Sequence, residues 1–559
     1  MTQDPGSPTD AEALPDTADV AIVGGGLAGL TLALQLARTL QRQPAPGGGT
    51  LAPPSIVVLE RNRHPVPIAA HKVGESTVEI GADYLANVVG ERRHLVDDQV
   101  KKFGFRFFWS DGRGEIERVL ELGASRHLPT GSFQIDRGLF ENHLGDAARE
   151  CGVRFLDDCT VRTIDLSDGD TPHRLAFAHR GVHRTLHARW LVDASGRAGL
   201  LRRKLALSRP NQHDAGSVWF RVSRRIDIDR WSDDATWIGR CSPPERWRST
   251  NHLVGDGYWV WLIPLASGSH SVGIVADNRI HPIAALDIFD KAMDWLSVHQ
   301  PRLHAELDTM RDAVQDFARF NRFSYDCAAV YNGNQRWALT GEAGLFLDPF
   351  YSPGTDYIAF GNTFVTDLVR ADREGKPTGQ LAAIYQSIFL KLAHNQMSLY
   401  QDQYALFGNP VVMPVKVLWD YAYYWGIVCQ LWFQRRLTDV RTMSRLAPEL
   451  DAIGELNLRI QAMLRDWDTR TRGSDTARAD AGGMLDQAAL DWFAELNRRL
   501  GDRLDDAAFD AMIREHAELL HRLAGQIAAR AGHDGSGIRQ DPQTPPDDPL
   551  LFEQPRVAA

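Results

Sequence analysis

Gly24, Gly26 and Gly29 stand in DVAIVGGGLAG, an apolar strand that runs into a glycine turn and then into LTLALQLARTL, whose spacing is helical. At those positions Gly24 permits the tight turn, Gly26 lets a pyrophosphate approach the backbone, and Gly29 allows close packing of helix on strand. Leu27 and Ala28 open the helix, whose N-terminus favours the anion. Glu60 closes the next strand, SIVVLE, with Arg61 after it, where a carboxylate can accept hydrogen bonds from a ribose diol. Strand, turn, helix and terminal acid in that order predict dinucleotide binding. A second reactive candidate is Lys102 in VKKFGFRFFW. A strand beginning there would put Lys102, Gly104, Arg106 and Phe108 on one face and Phe103, Phe105, Phe107 and Trp109 on the other. Desolvation among aromatic rings would lower the amine's pKa and raise its neutral fraction.

These residues need a scaffold of several hundred residues, and 559 provide it. The first βαβ unit carries a Pro/Gly loop, QRQPAPGGGTLAPP, as a surface insertion. Strands expected at FGFRFFW, VWFRVSRRI, TWIGRC, GYWVWLIPL and SHSVGIVA suggest a second, mostly antiparallel sheet over about residues 100–130 and 205–330. In GYWVWLIPL, alternation puts Trp259, Trp261 and Ile263 on one face and Tyr258, Val260 and Leu262 on the other. The fold class expected is therefore α/β: a Rossmann-like unit with the second sheet inserted (residues 18–370), then a helical region (371–531). Acidic and Pro/Gly-rich ends (1–17 and 532–559) read as disordered tails.

Composition narrows the function classes. The formal charge of −10 argues against general nucleic-acid binding. Five scattered cysteines without a CxxC pair suit a reducing cytoplasm and give no structural zinc motif; no metal is expected. The hydrophobic run from Val411 to Phe433 is interrupted by Pro414, Lys416 and Asp420, so it reads as a buried helix or lid rather than a membrane span.

Further segments carry a family resemblance. WLVDASGR, RWALTGEAGLFLDPF and QIDRGLFENHL, with Arg137, resemble the FAD-binding segments of the class that includes aromatic hydroxylases and flavin-dependent halogenases. Glu342 stands where that class has an aspartate that holds the ribityl chain. WVWLIP resembles the halogenases' WxWxIP signature, which implies that Trp259 and Trp261 partition flavin from substrate. VKKFGFRFFW resembles their KxGxxFxW segment, which implies a catalytic role for Lys102 in directing hypohalous acid. HKVGEST, from His71 to Thr77, resembles a segment that brings Glu75 and Ser76 to the flavin. FLDPFYSPG resembles FxDPxxSxG, implying Ser352 beside the isoalloxazine and halide on the backbone just after it.

Two departures qualify what the resemblance implies. Tyr351 replaces the glutamate that tryptophan halogenases carry before the serine, which points to a phenol-like or other non-tryptophan aromatic substrate, free or carrier-tethered. Pro353 has no N–H, so halide would rest on Gly354 and Thr355. The expected activity is a two-component halogenase using FADH2 from a separate reductase, oxygen, and chloride or bromide. Its rivals are an FAD-dependent aromatic hydroxylase, a related oxidoreductase without halide chemistry, and a non-catalytic or membrane-associated partner that docks through its aromatic segment.

Overall fold

The computed structural model describes residues 15–45, 48–69, 72–109, 115–472, 483–533 and 550–552. His71 and most of the expected N-terminal tail lie outside them. The strand Thr17–Val23 is central to the first sheet, paired in parallel with Ile56–Leu59 on one side and Val182–Asp193 on the other. Arg154–Leu156 and Trp337–Leu339 extend the parallel run outward. All four residues of Ile56–Leu59 are buried, as a parallel strand covered on both faces requires. The helix Leu27–Thr39 crosses over between the first two strands, burying the apolar residues from Leu30 to Ala37.

The second sheet has eight strands, in spatial order Ala318–Phe320, Ala215–Val222, His270–Asp277, Tyr258–Pro264, Thr250–Gly255, Phe105–Trp109, Leu120–Gly123 and Gly483–Asp486. It is mostly antiparallel, with parallel pairing between Thr250–Gly255 and Phe105–Trp109 and between Leu120–Gly123 and Gly483–Asp486. The alternation read in Tyr258–Pro264 is present. Trp259, Trp261 and Ile263 enter the large core shared with the first sheet, while Tyr258, Val260 and Leu262 enter a smaller one beneath the helices Phe289–His299 and Pro301–Asp308. Trp261 lies opposite Gly273, where any Cβ would stand 2.2 Å from the indole, so that glycine makes room for the ring.

Four expectations need correction. TWIGRC is not a strand: Asp234 accepts the Trp237 N–H at 2.6 Å and caps the helical turn Ala235–Ile238, and this local bond outweighs the β propensity of the segment. The strand holding Phe105 begins after Gly104, not at Lys102, because Gly104 turns the chain at φ +72°. From Arg106 onward the two faces are as expected, with Phe105, Phe107 and Trp109 in the large core and Phe108 in the small one. The helical region also contributes a strand, Gly483–Asp486, to the second sheet. Finally, Leu550 and Leu551 are buried and the Leu550 carbonyl accepts the Trp492 indole N–H at 3.1 Å, so this part of the expected C-terminal tail is anchored; residues 534–549 and 553–559 lie outside the described set.

The run Val411–Phe433 forms the buried helix Val412–Tyr423, a π-helical turn Tyr424–Val428 and the short helix Cys429–Phe433. None of the described helices is long and apolar enough to cross a membrane.

Candidate active site

A cavity of about 650 Å³ opens where the first sheet's strand ends meet the second sheet. Gly24, Gly26, Leu27, Ala28, Glu60 and Arg61 line one end; Trp259, Trp261, Ser352, Gly354 and Thr355 line the other. The glycines divide their tasks as the spacing predicts. Gly24 has φ +111° and a Cβ there would lie 2.3 Å from the Ala194 carbonyl; one on Gly29 would lie 1.9 Å from the Gly24 carbonyl. A Cβ on Gly26 would meet no protein atom within 4 Å and would project into ligand space. Gly29 itself packs beneath the turn and does not line the cavity. Glu60 is buried, with Oε2 accepting the Gly25 N–H at 2.6 Å and Oε1 the Asn62 N–H at 2.8 Å, an arrangement that stiffens the turn from below.

Arg137, Glu75, Ser76 and Glu342 also border this space. Arg137 donates to the Val73 carbonyl at 2.8 Å and to Glu141 Oε1 at 3.0 Å through Nε, so it holds the 73–75 segment against the cavity. Glu75 Oε1 accepts from Arg221 Nε at 2.7 Å, whereas Oε2 is buried without a hydrogen-bond partner among the described residues. Burial raises the Glu75 pKa, and the Arg221 charge opposes the rise. An open cradle over Gly26 and an orphaned buried oxygen on its wall suit a large, polar ligand that brings its own donors. A dinucleotide meets both conditions.

Lys102 lies just beyond this wall. Its side chain is 2 % exposed, with Nζ donating to Ser76 Oγ and to the Thr77 carbonyl, each at 2.9 Å, and standing 3.6 Å from the centre of the Phe105 ring. Ser76 Oγ is also 3.0 Å from Thr250 Oγ1, so the hydroxyl pair separates the amine from the cavity that both residues line. Burial lowers the Lys102 pKa to about 7, with the Glu79 and Asp356 carboxyls opposing the shift. Asp356 is pushed up to about 8, chiefly by burial, despite accepting the Tyr424 hydroxyl at 2.7 Å and the Gly81 N–H at 2.8 Å. Glu79, Asp356 and Tyr424 were not anticipated from the sequence. Glu79 three residues after Ser76, and Asp356 two after Gly354, are the only local hints.

An aromatic row continues from Lys102 toward the cavity: Phe105, then His252 at 5.4 Å, then Trp259 at a further 5.4 Å. His252, another residue that sequence reading passed over, is fully buried with its pKa lowered to about 3, so it is a neutral spacer at ordinary pH. The two indoles are 5.7 Å apart, centre to centre. Trp261 Nε1 donates to Ser271 Oγ and Trp259 Nε1 to the Tyr404 hydroxyl, both at 3.1 Å. Tyr404 in turn donates to Asp348 Oδ2 at 2.7 Å, and His213 Nε2 lies 2.5 Å from the same oxygen. The orientation of the Trp259 ring is thereby tied to the DPF turn, which begins at Asp348.

In that turn Tyr351 and Ser352 both adopt left-handed backbone, at φ +66° and +53°. Two consecutive non-glycine residues there are costly, and such strain concentrates at functional turns. The Tyr351 hydroxyl donates to Asp420 Oδ2 at 2.9 Å; the same oxygen receives Lys416 Nζ at 2.8 Å, and Gln461 donates to Oδ1 at 2.7 Å. Tyr351 thus fastens the turn to the helical region. Ser352 N–H is committed to the Pro349 carbonyl at 2.9 Å, and Pro353 is the cap of helix Gly354–Arg373, a position whose N–H the helix does not use. The first-turn N–H groups of Gly354 and Thr355, which have no intrahelical acceptors, remain directed out of the helix end.

Residues 17–271 match the family described as FAD binding domain. Curated relatives include the flavin-dependent halogenase chlA of Dictyostelium discoideum, 26% identical over 441 residues, 73% of this chain and 70% of that one. A tetracycline 7-halogenase of Kitasatospora aureofaciens is 27% identical over 60% of each chain. The 1H-pyrrole-2-carbonyl-[peptidyl-carrier protein] chlorinase of Pseudomonas fluorescens is 25% identical over 60% of this chain and 72% of its own. Among solved structures, halogenase PltM with FAD superposes with a TM-score of 0.61 at 16% identity, covering 92% of this chain and 96% of PltM. CmlS, a flavin-dependent halogenase, gives 0.54 at 18% identity over 96% and 75%. A flavoprotein/dehydrogenase from Cytophaga hutchinsonii gives 0.52 at 18% identity over 71% and 87%, so the fold reaches beyond the halogenases. The cofactor is FAD, and the chain resembles flavin-dependent halogenases in sequence and in fold.

Proposed function

We propose that this FAD-binding chain is a flavin-dependent halogenase in which Lys102 directs hypohalous acid onto an electron-rich, non-tryptophan aromatic ring. Bound as FADH2 from a separate reductase, the cofactor would supply the oxidising equivalents with oxygen and chloride or bromide. Gly24, Gly26, Leu27, Ala28, Glu60, Arg61, Glu75, Arg137 and Glu342 would hold it. The N–H groups of Gly354 and Thr355 would hold halide beside Ser352. Trp259 and Trp261 would keep the aromatic substrate, free or carrier-tethered, away from the flavin.

The observation that carries this reading is the state of Lys102. An amine at the end of an aromatic row, screened from the cavity by Ser76 and Thr250, is placed to receive a small oxidant while a ring-sized substrate stays on the far side. With its pKa lowered to about 7, a large share of the amine is neutral at ordinary pH, the form that accepts an oxidised halogen at nitrogen. The protonated share can instead donate a hydrogen bond to the oxidant's oxygen. The hydroxylase alternative gives no role to a buried amine at this distance from the cofactor cavity.

Supplying FADH2 from a generic reductase with bromide or chloride and a panel of phenols, indoles and pyrroles tests the proposal by product mass. Halogenated product that disappears in Lys102→Ala, with FAD binding intact, supports it. Hydroxylated product, or halogenation that survives Lys102→Ala, overturns it.

A further inference from the structure

Beside Lys102, two buried polar atoms lack partners. Glu79, 8 % exposed, has Oε2 without a hydrogen-bond partner among the described residues, and so does Nε1 of the 2 % exposed Trp425. The two groups lie against one another, and the indole favours the ionised carboxylate, yet they do not close an aligned hydrogen bond. Asp356, the other carboxyl of the cluster, is satisfied by Gly81 and Tyr424. One free acceptor and one free donor, side by side in an apolar setting, are what a hydroxyl group satisfies, since it donates one hydrogen bond and accepts another.

The surroundings are aromatic. Tyr421 is 4.5 Å from Trp425 and 6.2 Å from Phe105, centre to centre, and Phe493 is 4.7 Å from Trp425. Lys102 Nζ lies over the opposite face of this group, on Phe105. Trp425 is carried by the π-helical turn Tyr424–Val428, a geometry that recurs at functional sites. A shift of this turn would admit a flat ring where the indole now packs.

The geometry points to Glu79 and Trp425 as the site that recognises the hydroxyl of a phenolic substrate, Glu79 accepting its O–H and the Trp425 N–H donating to its oxygen. The inference rests on the halogenase reading for the fate of the ring, and it narrows the substrate class to hydroxyaromatics. Hydrogen bonding to the carboxylate draws the phenolic proton away and enriches the ring in electrons, with Lys102 on the side from which halogen arrives. This assigns to Glu79, on a different segment, a substrate contact that Tyr351 cannot make while its hydroxyl is committed to Asp420.

Phenol and its methyl ether, anisole, separate hydroxyl recognition from simple apolar packing. Calorimetric titration of the FAD-loaded full chain is expected to show phenol binding about tenfold tighter than anisole, with the preference reduced to near parity in Glu79→Gln. Trp425→Phe keeps the ring and removes the donor, and is expected to shrink the same ratio. It decides the matter if Glu79→Gln does not fold by circular dichroism. Equal binding of the two probes by the unaltered protein, or a preference retained in the variants, overturns the inference. Hypohalite formation by the unaltered protein, trapped without phenol, reports separately on the halogenase reading.

Discussion

Replacing Lys102 by methionine removes the buried amine and keeps the length of the side chain. The fall of its pKa from 10.5 to about 7 means that the unfolded chain holds this proton over a range in which the folded chain has released it. Where the unfolded state binds more protons, stability rises with pH. Charge burial at this site therefore costs the folded protein roughly 5 kcal/mol below pH 7, and the cost declines by about 1.4 kcal/mol per pH unit toward pH 10.5. Against that, methionine forfeits the bonds to Ser76 and Thr77. Ser76 keeps Thr250 as a partner, so the Thr77 carbonyl carries most of the loss, about 1–3 kcal/mol. Lys102→Met should thus be more stable than the parent at pH 6, by about 2–4 kcal/mol, with the gap closing near pH 9 and reversing by pH 10. Glu79 and Asp356 titrate in the same cluster, both with raised pKa, and comparing variant with parent removes most of their contribution. Denaturant midpoints at pH 6, 7.5 and 9, read beside product formation, measure both halves of the argument. A variant less stable than its parent at pH 6, or a gap independent of pH, would refute the assignment of a depressed pKa. In activity, an ordinary lysine is about 0.1% neutral at pH 7.5 and one with a pKa near 7 is roughly three quarters neutral. Halogenation by the parent should accordingly rise between pH 6 and 8.

Gly26→Ala should melt with the parent but bind FAD at least about tenfold more weakly, since the added methyl enters ligand space, whereas Gly24→Ala should lose stability through its φ of +111° and its approach to Ala194. FAD titration and thermal midpoints tell the two apart, and equal effects in both would refute the division of roles. Tyr404→Phe strips the acceptor from Trp259 Nε1 and one donor from Asp348, and should cost about 1–3 kcal/mol with a change in tryptophan emission. Lys416→Met leaves Asp420 buried with its cation gone, and should destabilise by about 3–5 kcal/mol in denaturant titration.

The parts of the site that sequence reading located are those set by local geometry. The glycine turn, the acid ending the second strand and the two faces of Tyr258–Pro264 depend on spacing within one segment, and spacing survives folding. Lys102 was picked out, but its strand was not, because one left-handed glycine ended the alternation two residues later. TWIGRC failed for a similar reason, a single aspartate cap. The residues that surround Lys102 could not be read at all. Glu79, Asp356, Thr250 and Tyr424 come from four distant segments and become neighbours only when the sheet, the Gly354 helix and the C-terminal helices close on one another. Tyr351 illustrates the same limit: the sequence shows a missing carboxylate, while the structure shows a phenol tied to a buried ion pair.

The strand Gly483–Asp486, on the edge of the second sheet, has a bearing on how this protein is made. Leu120–Gly123 leaves the ribosome more than 350 residues before the segment that will cover it. Until then the sheet presents an open hydrogen-bonding edge to every neighbouring nascent chain, and open edges template mispairing. Production of fragments that stop before residue 483 should therefore yield aggregates even when the FAD-binding half is complete. Slow translation or a chaperone that shields that edge would favour recovery of the full-length protein.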